Sequence, residues 1–173
     1  GVAKSKPDSL IFGANLGAIN HLAGVMLQEL ERGAKFRFVQ IGGGTANYTA
    51  LTGAQTNTTV LSGAEVVKFT RLPDGSENPE AQIKPLAYTG PSRFEQLTHL
   101  STMKELGYDM EFCIKSWWFA PKNTPQEAIH GFATALRAAT TTDRYKKFLA
   151  TKGFANVFLS GGSLQTDLSN TWT

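Results

Sequence analysis

Three apolar runs near the start of the chain are each followed by small residues and then by a helical pattern. The first run, residues 10–12, leads into a glycine-bearing turn. Beyond the turn, apolar residues recur at helical spacing at Ile19, Leu22, Met26 and Leu30. This order predicts a strand, a tight turn and a helix with one apolar face, and glycine after Arg32 predicts where the helix ends.

The same order of elements recurs twice. Residues 35–41 predict a second strand, a run of three glycines follows, and residues 46–52 predict a short helix. Residues 57–61 predict a third strand, after which Ser62 begins another helix. This rhythm predicts an α/β fold with a mostly parallel sheet. Because ligands bind beyond the carboxyl ends of the strands in such sheets, the three turns are expected to line one crevice.

The later part of the chain predicts strands and helices in a less regular order. The predicted elements are a strand at 83–88, a strand with an aromatic centre at 111–120, and helices that begin at Thr124, Thr142 and Ser163. Thr124 is the expected N-cap of the first of these helices, with Pro125 in the first helical position. Tyr145, Phe148 and Leu149 are predicted to face inward, and Gly153 to end their helix.

Composition narrows the classes of function. The chain has 173 residues, of which 41% are hydrophobic and 18% charged, with a formal charge of +3. No run of basic residues exceeds Lys146-Lys147, so we expect no nucleic-acid partner. Cys113 is the single cysteine, which excludes an intrachain disulfide and a cysteine-based metal site. No apolar run approaches the roughly 18–20 residues of a membrane span.

The candidate chemistry lies mainly in the backbone of the turns. A helix start leaves N–H groups unpaired and carries the positive end of the helix dipole, so an anion is its natural ligand. For the first turn, an equal alternative is that Gly13 and Gly17 only permit the chain to bend. The residues predicted to contact a ligand are Asn15, Leu16, Gly17, Ala18, His21, Gly43, Gly44, Thr45, Ser62 and Trp117. Ser62 and Asn15 would add polar contacts and Trp117 an apolar wall, while the His21 ring either faces the crevice or holds the turn.

Motifs for catalysis, cofactors and metals are weak. The glycine run lacks the G-x-G-x-x-G spacing because position 47 is Asn, and Ser101 and Lys104 match S-x-x-K without the accompanying K-T-G. The three histidines are far apart, and none has a second ligand at metal spacing. We therefore expect no enzyme, no cofactor and no metal. An α/β enzyme that uses the glycine turns to bind a phosphate is kept as an alternative.

Several segments resemble, in order, those of one receptor family. Residues 16–24, LGAINHLAG, resemble the V-G-S-x-x-H-L-A-G segment of the periplasmic receptors of tripartite tricarboxylate transporters, the Bug or TctC type. Residues 38–46 are similar to their H-V-P-Y-K-G-G-x-P, and residues 52–55 to L-G-G-Q. Residues 118–125 resemble W-F-x-x-x-A-P-x-x-T-P. The tail also has the family's L-x-x-x-G followed by G-G.

The resemblance implies a fold, a location and a function. It implies two α/β lobes of the type II periplasmic-binding-protein kind, which hold a small carboxylate ligand in the cleft. Residues 8–110 would form the second, ligand-binding lobe, and residues 111–173 the crossover strand and the C-terminal part of the other, incomplete lobe. The expected protein is a periplasmic, non-catalytic solute receptor that works with membrane transporter subunits.

The resemblance also implies that the chain is truncated at its N-terminus, and this has consequences for binding. One of the two main ligand loops would be absent, so the chain alone is expected to bind weakly or not at all. A truncated receptor that binds nothing is an alternative. Self-association through the exposed interlobe face is a further expectation, because missing neighbours leave unpaired edges and apolar patches.

Three departures from the family pattern affect the predicted cleft. The family's Tyr-Lys in the second turn is Ile41-Gly42 here, and its acidic or amide pair after the third strand is Leu61-Ser62. A small hydroxyl residue of the first turn is Ala18. These changes remove polar side chains and leave mainly backbone amides as donors, which argues against the usual dicarboxylate ligand.

Overall fold

The computed structural model describes residues 1–152, 154 and 156–171. The chain forms two compact units, Gly1–Lys115 and Ser116–Thr173. The predicted helix stop at Gly153 lies outside the described residues.

A three-stranded parallel sheet forms the centre of the first unit. Its strands are β1 (Leu10–Ala14), β2 (Phe36–Gln40) and β3 (Thr58–Thr59), arranged in the order β2-β1-β3. Phe12 of the central strand lies opposite Phe38 of β2 and Thr58 of β3. The α/β fold with a parallel sheet that the sequence predicted is thus confirmed.

Each strand is followed by a short turn and a helix, as the pattern predicted. The helices of the first unit are α1 (Val2–Ser5), α2 (Ile19–Leu30), α3 (Gly44–Thr52) and α4 (Gly63–Thr70), and a 3₁₀ turn covers Glu95–Leu97. Gly33, beyond the end of α2, has a φ of 90°, a left-handed conformation that favours glycine. Strand, turn and helix thus repeat three times within the first 70 residues.

The face of α2 that packs on the sheet is not the predicted one. Ile19, Leu22 and Leu30 remain 40–49% exposed, whereas Ala23 and Gly24 are buried. A Cβ on Gly24 would lie 2.7 Å from a Phe38 ring atom and 3.0 Å from the Phe12 ring. Because Gly24 has no side chain, the helix approaches the aromatic rings of the sheet closely. Of the predicted face, only Met26 packs against the core, and Ile19, Leu22 and Leu30 stay at the surface.

A second part of the core forms around Ala23 of α2. Ala23, Met103 and Met110 form a buried cluster, and the partly buried hydrophobic residues packed against it are Met26, Leu27, Val60, Ala87, Tyr108 and Phe112. The irregular segment after α4 thus covers α2 without forming a strand of its own. It anchors the helix whose start borders the predicted crevice.

Three of the predicted strands differ in the structure: one is shorter than predicted, one is reduced to a single bridge and one is absent. The third strand covers only Thr58–Thr59, residues 83–88 contribute a single bridge from Tyr88 to Thr102, and residues 111–120 form no strand. A strand requires a neighbour that pairs with its N–H and C=O groups. Between residues 111 and 120 the alternating side chains fit a strand, but the described chain supplies no aligned neighbour.

The second unit contains helices α5 (Gln126–Thr141), α6 (Asp143–Lys152) and α7 (Gly162–Thr171). The predicted cap of α5 is wrong, because Pro125 is the N-cap and no side-chain cap forms. In α6, Leu149 is buried as predicted, but Phe148 remains 54% exposed. None of the helices in the described part of the chain is both long and apolar enough to cross a membrane.

Candidate functional site

The three strand-to-helix turns meet at one edge of the sheet. Ala14 lies opposite Gln40, and Gly13 lies opposite Thr59, so the parallel strands end nearly level with one another. The turns therefore begin at the same edge and bring together all the predicted site residues except Trp117. Trp117 belongs to the second unit, where it is half-buried.

The first turn uses its own backbone N–H groups internally. The amide of Leu16 donates to Oε1 of Gln40 at 2.7 Å, and the amide of Ala18 donates to the carbonyl of Asn15 at 2.9 Å. Nε2 of Gln40 also donates to Oδ1 of Asn15 at 3.0 Å. Gly17 has a φ of 82°, so glycine is required for the bend itself. The turn is thus held by its neighbours rather than left open for a ligand.

His21 and Asn20 complete the support of the first turn from the start of α2. Nδ1 of His21 accepts a hydrogen bond from the amide of Gly17 at 3.2 Å, and Oδ1 of Asn20 accepts one from the amide of Asn15 at 3.3 Å. The ring of His21 also packs edge-on against Phe38, with centroids 4.7 Å apart. This is the loop-holding arrangement, one of the two that the sequence left open for His21.

The second turn differs, because its N–H groups remain available. The amides of Gly43, Gly44 and Thr45 have no hydrogen-bond acceptor among the described residues, and no side chain caps α3. We call these three N–H groups the α3 amides. Gly43 and Thr45 are exposed and Gly44 is half-buried. The start of α3 therefore presents unpaired donors and the positive end of the helix dipole to the crevice.

Hydrogen bonds from α2 and from α3 fix the position of the second turn. The carbonyl of Gly42 accepts hydrogen bonds from Nδ2 of Asn20 at 3.3 Å and from Nδ2 of Asn47 at 2.9 Å. Asn47 is fully buried. Gly42 has a φ of 143°, which side chains rarely adopt. The α3 amides thus follow a turn that is built to a defined shape and tied to the start of α2.

The third turn has a different design, because α4 supplies its own cap. Oε2 of Glu65 accepts hydrogen bonds from the backbone N–H and from Oγ of Ser62, at 2.9 and 2.8 Å, and Oγ of Ser62 accepts from the amide of Glu65 at 3.4 Å. This capping box engages the Ser62 hydroxyl. The same carboxylate lies against Gly44, where a Cβ would be 2.8 Å from Cδ of Glu65. Sequence reasoning missed Glu65, although the spacing of Ser62 and Glu65 is a capping-box signal.

The unpaired hydrogen-bond donors at this edge come from the main chain. The segments 15–18, 42–45 and 60–65 contain no Lys or Arg, and Glu65 is their one acidic residue. Among the described residues, no three His, Cys, Asp or Glu side chains are grouped so as to hold a metal ion. Outside this edge, Nζ of Lys104 donates to Oε2 of Glu111 at 2.8 Å, which raises the pKa of Lys104 and gives that lysine a structural partner.

Comparison with known proteins identifies related structures. The chain is similar to R. palustris Rpa4515 with adipate (25% identity, TM-score 0.68), to a TctC solute binding protein from Polaromonas with no ligand (18%, 0.70) and to the periplasmic binding protein BugD (22%, 0.72). Each alignment covers 98% of this chain but only 54–55% of the other chain. The chain thus spans about half the length of the structures it matches. A comparison with curated proteins finds no match.

Almost the whole sequence matches one protein family. Residues 1–167 match the family described as "Tripartite tricarboxylate transporter family receptor", named TctC. The members of this family are periplasmic solute-binding receptors rather than enzymes, and they bind small carboxylates and work with a membrane transporter. The chain belongs to the TctC family of receptors.

Proposed function

We propose that the first unit binds a small carboxylate ligand at the α3 amides, as part of an extracytoplasmic receptor that serves a tripartite tricarboxylate transporter. The observation that carries this proposal is the start of α3, where three N–H groups have no acceptor among the described residues. Unpaired amides at a helix start bind carboxylates through hydrogen bonds and through the helix dipole. The contrast with α4, which is capped by its own side chains, supports a role for the open end of α3.

The other predicted residues receive supporting roles in this proposal. The turn from Asn15 to Ala18, with His21, holds the start of α2 beside the second turn. Leu16 and Ile19 are 47% and 40% exposed, and they would contact the aliphatic part of a ligand. The R. palustris structure with adipate supports a carboxylate with an aliphatic chain. Ser62 would act through its capping box.

The same proposal includes the lobe boundaries, the cellular location and the partners that the sequence predicts. Residues 8–110 would form the ligand-binding lobe, and Trp117 would supply an apolar wall in the complete receptor. The periplasm would be the location of this protein, and transporter subunits in the membrane its partners. Self-association through an exposed apolar face also stays a prediction.

The binding proposal is tested by titrating the ¹⁵N-labelled chain with adipate while amide chemical shifts are recorded by NMR. The sequence predicts that this chain alone binds weakly or not at all, whereas the open α3 amides favour weak binding. The titration therefore extends to millimolar adipate, a range that NMR can follow. We expect the amide signals of Gly43, Gly44 and Thr45 to move together and to saturate. The amide of Phe36, which donates to Oε1 of Gln28 at the opposite end of β2 from the turns, is the internal control and should move little.

The matched control ligand is adipamide, which has the same chain length but no charge. The helix start should discriminate between the two ligands, because its dipole and N–H groups favour a negative charge. Equal shifts with adipamide, or adipate shifts that are spread over the surface without saturation, would overturn the proposal.

A further inference from the structure

The side chain of Glu65 does more than cap its own helix. One carboxylate oxygen, Oε2, accepts both hydrogen bonds from Ser62. The other oxygen, Oε1, has no hydrogen-bond or ion-pair partner among the described residues. A capping box needs only one of the two oxygens, so the second remains an unused acceptor with a share of the negative charge.

The unused oxygen lies against Gly44, the first residue of α3. A Cβ on Gly44 would overlap Oε1 of Glu65 and would lie 2.8 Å from its Cδ. Glycine at this position therefore leaves the room that the carboxylate occupies. Gly44 also contributes one of the three α3 amides, so the free oxygen lies beside the donors that are proposed to hold the ligand.

This juxtaposition creates an electrostatic conflict for a simple anion. A carboxylate on the α3 amides would lie within a few ångströms of a second carboxylate, and like charges at such distances repel strongly near a protein surface. The segments that form the three turns contain no Lys or Arg to offset the repulsion. A ligand can remove the conflict itself if it places a positive or hydrogen-donating group between the two carboxylates.

We infer that Glu65 selects carboxylates that carry a hydrogen-bond donor next to the acid group, such as an ammonium or a hydroxyl on carbon 2. The inference rests on the proposed function and names the ligand class for the same site. The α3 amides bind the acid group, and Oε1 of Glu65 accepts the hydrogen bond from the neighbouring donor. A second carboxylate at the same carbon is rejected by charge repulsion. Glu65 is thus a specificity-determining residue.

The test compares four acids that share a six-carbon chain and differ only at carbon 2. They are hexanoate, 2-hydroxyhexanoate, 2-aminohexanoate and butylmalonate, which carry a hydrogen, a hydroxyl, an ammonium and a second carboxylate. Dissociation constants are measured for the full chain from the NMR shifts of the α3 amides. We expect 2-aminohexanoate to bind about tenfold more tightly than hexanoate, and butylmalonate to bind more weakly than hexanoate.

The variant Glu65→Gln removes the charge and keeps the cap, because glutamine also fits the capping box. In this variant the advantage of 2-aminohexanoate should fall to within about twofold, and butylmalonate should bind more tightly than 2-aminohexanoate. Glu29→Gln is the matched control. It removes the same charge from the far part of α2, about 15 Å along the helix from Ile19, and should leave the order of the four acids unchanged.

The outcomes separate the two proposals. If all four acids bind and their order is the same in the wild type and in Glu65→Gln, Glu65 is only a helix cap and the inference is overturned. If neither protein binds any of the acids, the proposed function itself is overturned. Loss of the preference in both Glu65→Gln and Glu29→Gln would assign the effect to net charge and would also contradict a local role.

Discussion

The contact between Gly44 and Glu65 predicts that these two residues are energetically coupled. Replacing Gly44 by Ala places a Cβ in the space of the Glu65 carboxylate, with Cδ only 2.8 Å away. The side chain of Glu65 can rotate away, but it then loses the hydrogen bonds of 2.9 and 2.8 Å from Ser62. Loss of such a cap typically costs about 0.5–2 kcal/mol of stability. Alanine gains up to about 1 kcal/mol over glycine in a helix, which offsets part of this loss.

A double-mutant cycle isolates the coupling. In the wild-type background, Gly44→Ala should lower the free energy of unfolding by an amount between near zero and about 1.5 kcal/mol. In a Glu65→Ala background no carboxylate obstructs the Cβ, so the same substitution should be neutral or stabilising. The gain from alanine cancels in the cycle, so the expected interaction energy is that of the lost cap, about 0.5–2 kcal/mol. A value above the roughly 0.5 kcal/mol scatter of independent sites supports the coupling.

The assay is urea unfolding followed by far-ultraviolet circular dichroism. Tryptophan fluorescence is unsuitable, because Trp117 and Trp118, the tryptophans in the described part of the chain, belong to the second unit. Gly43→Ala is the matched control, since a Cβ on Gly43 meets no atom within 4 Å and its effect should be the same in both backgrounds. Equal effects of Gly44→Ala in the two backgrounds would refute the reasoning, and so would an equally large coupling for Gly43.

Two further predictions concern stability away from the site. Gly24→Ala should destabilise the chain by about 1–2 kcal/mol, because its Cβ would lie 2.7 Å from the Phe38 ring. Gly131→Ala in α5 is the control: its Cβ has open space, so this variant should raise the midpoint of thermal unfolding. Equal shifts of the thermal midpoint in the two variants would contradict the close packing at Gly24. The amide of Thr102, 2.8 Å from Oε2 of Glu105, lowers the pKa of that carboxyl. The hydrogen bond therefore contributes stability at neutral pH that is lost as the pH falls below the ordinary glutamate pKa and through the lowered pKa of Glu105. Glu105→Gln should show a smaller loss of stability between pH 7 and pH 3, and a loss equal to that of the wild type would contradict the assignment.

The part of the fold that the sequence predicted correctly is the part set by local pattern. An apolar run, a glycine turn and a helix each depend on residues close together in the chain, and three copies of this order suffice to predict a parallel sheet. The strand predicted at 111–120 failed for a different reason. Alternating side chains indicate that a segment fits a strand, but they do not reveal whether a neighbour is there to pair with it.

The apolar face of α2 shows a second limit of the pattern. Ile19, Leu22 and Leu30 suggested the buried side because of their size, but the helix packs through Gly24 against Phe12. A glycine counts as neither apolar nor polar in a periodicity argument. Its effect depends on the aromatic rings that the sheet places opposite it, and those rings come from other segments of the chain.

The candidate site was predictable in kind but not in detail. The glycine turns indicated backbone donors, and the structure leaves the N–H groups of Gly43, Gly44 and Thr45 without acceptors among the described residues. That the first turn is closed by Gln40 could not be read from the sequence, since Gln40 ends the neighbouring strand. Contacts between segments decide which of two similar turns stays open.

This difference between the turns implies a division of roles. The first turn uses its amides to bind Asn20, His21 and Gln40, and Asn20 then holds the carbonyl of Gly42. Hydrogen bonds therefore lead from the first turn to the second, where the unpaired donors lie. A rigid first turn reduces the freedom that the α3 amides would otherwise lose when a ligand binds, and preorganised donors bind more tightly for the same contacts. In the proposed site, the first turn would thus contribute to ligand recognition by fixing the position of the second turn.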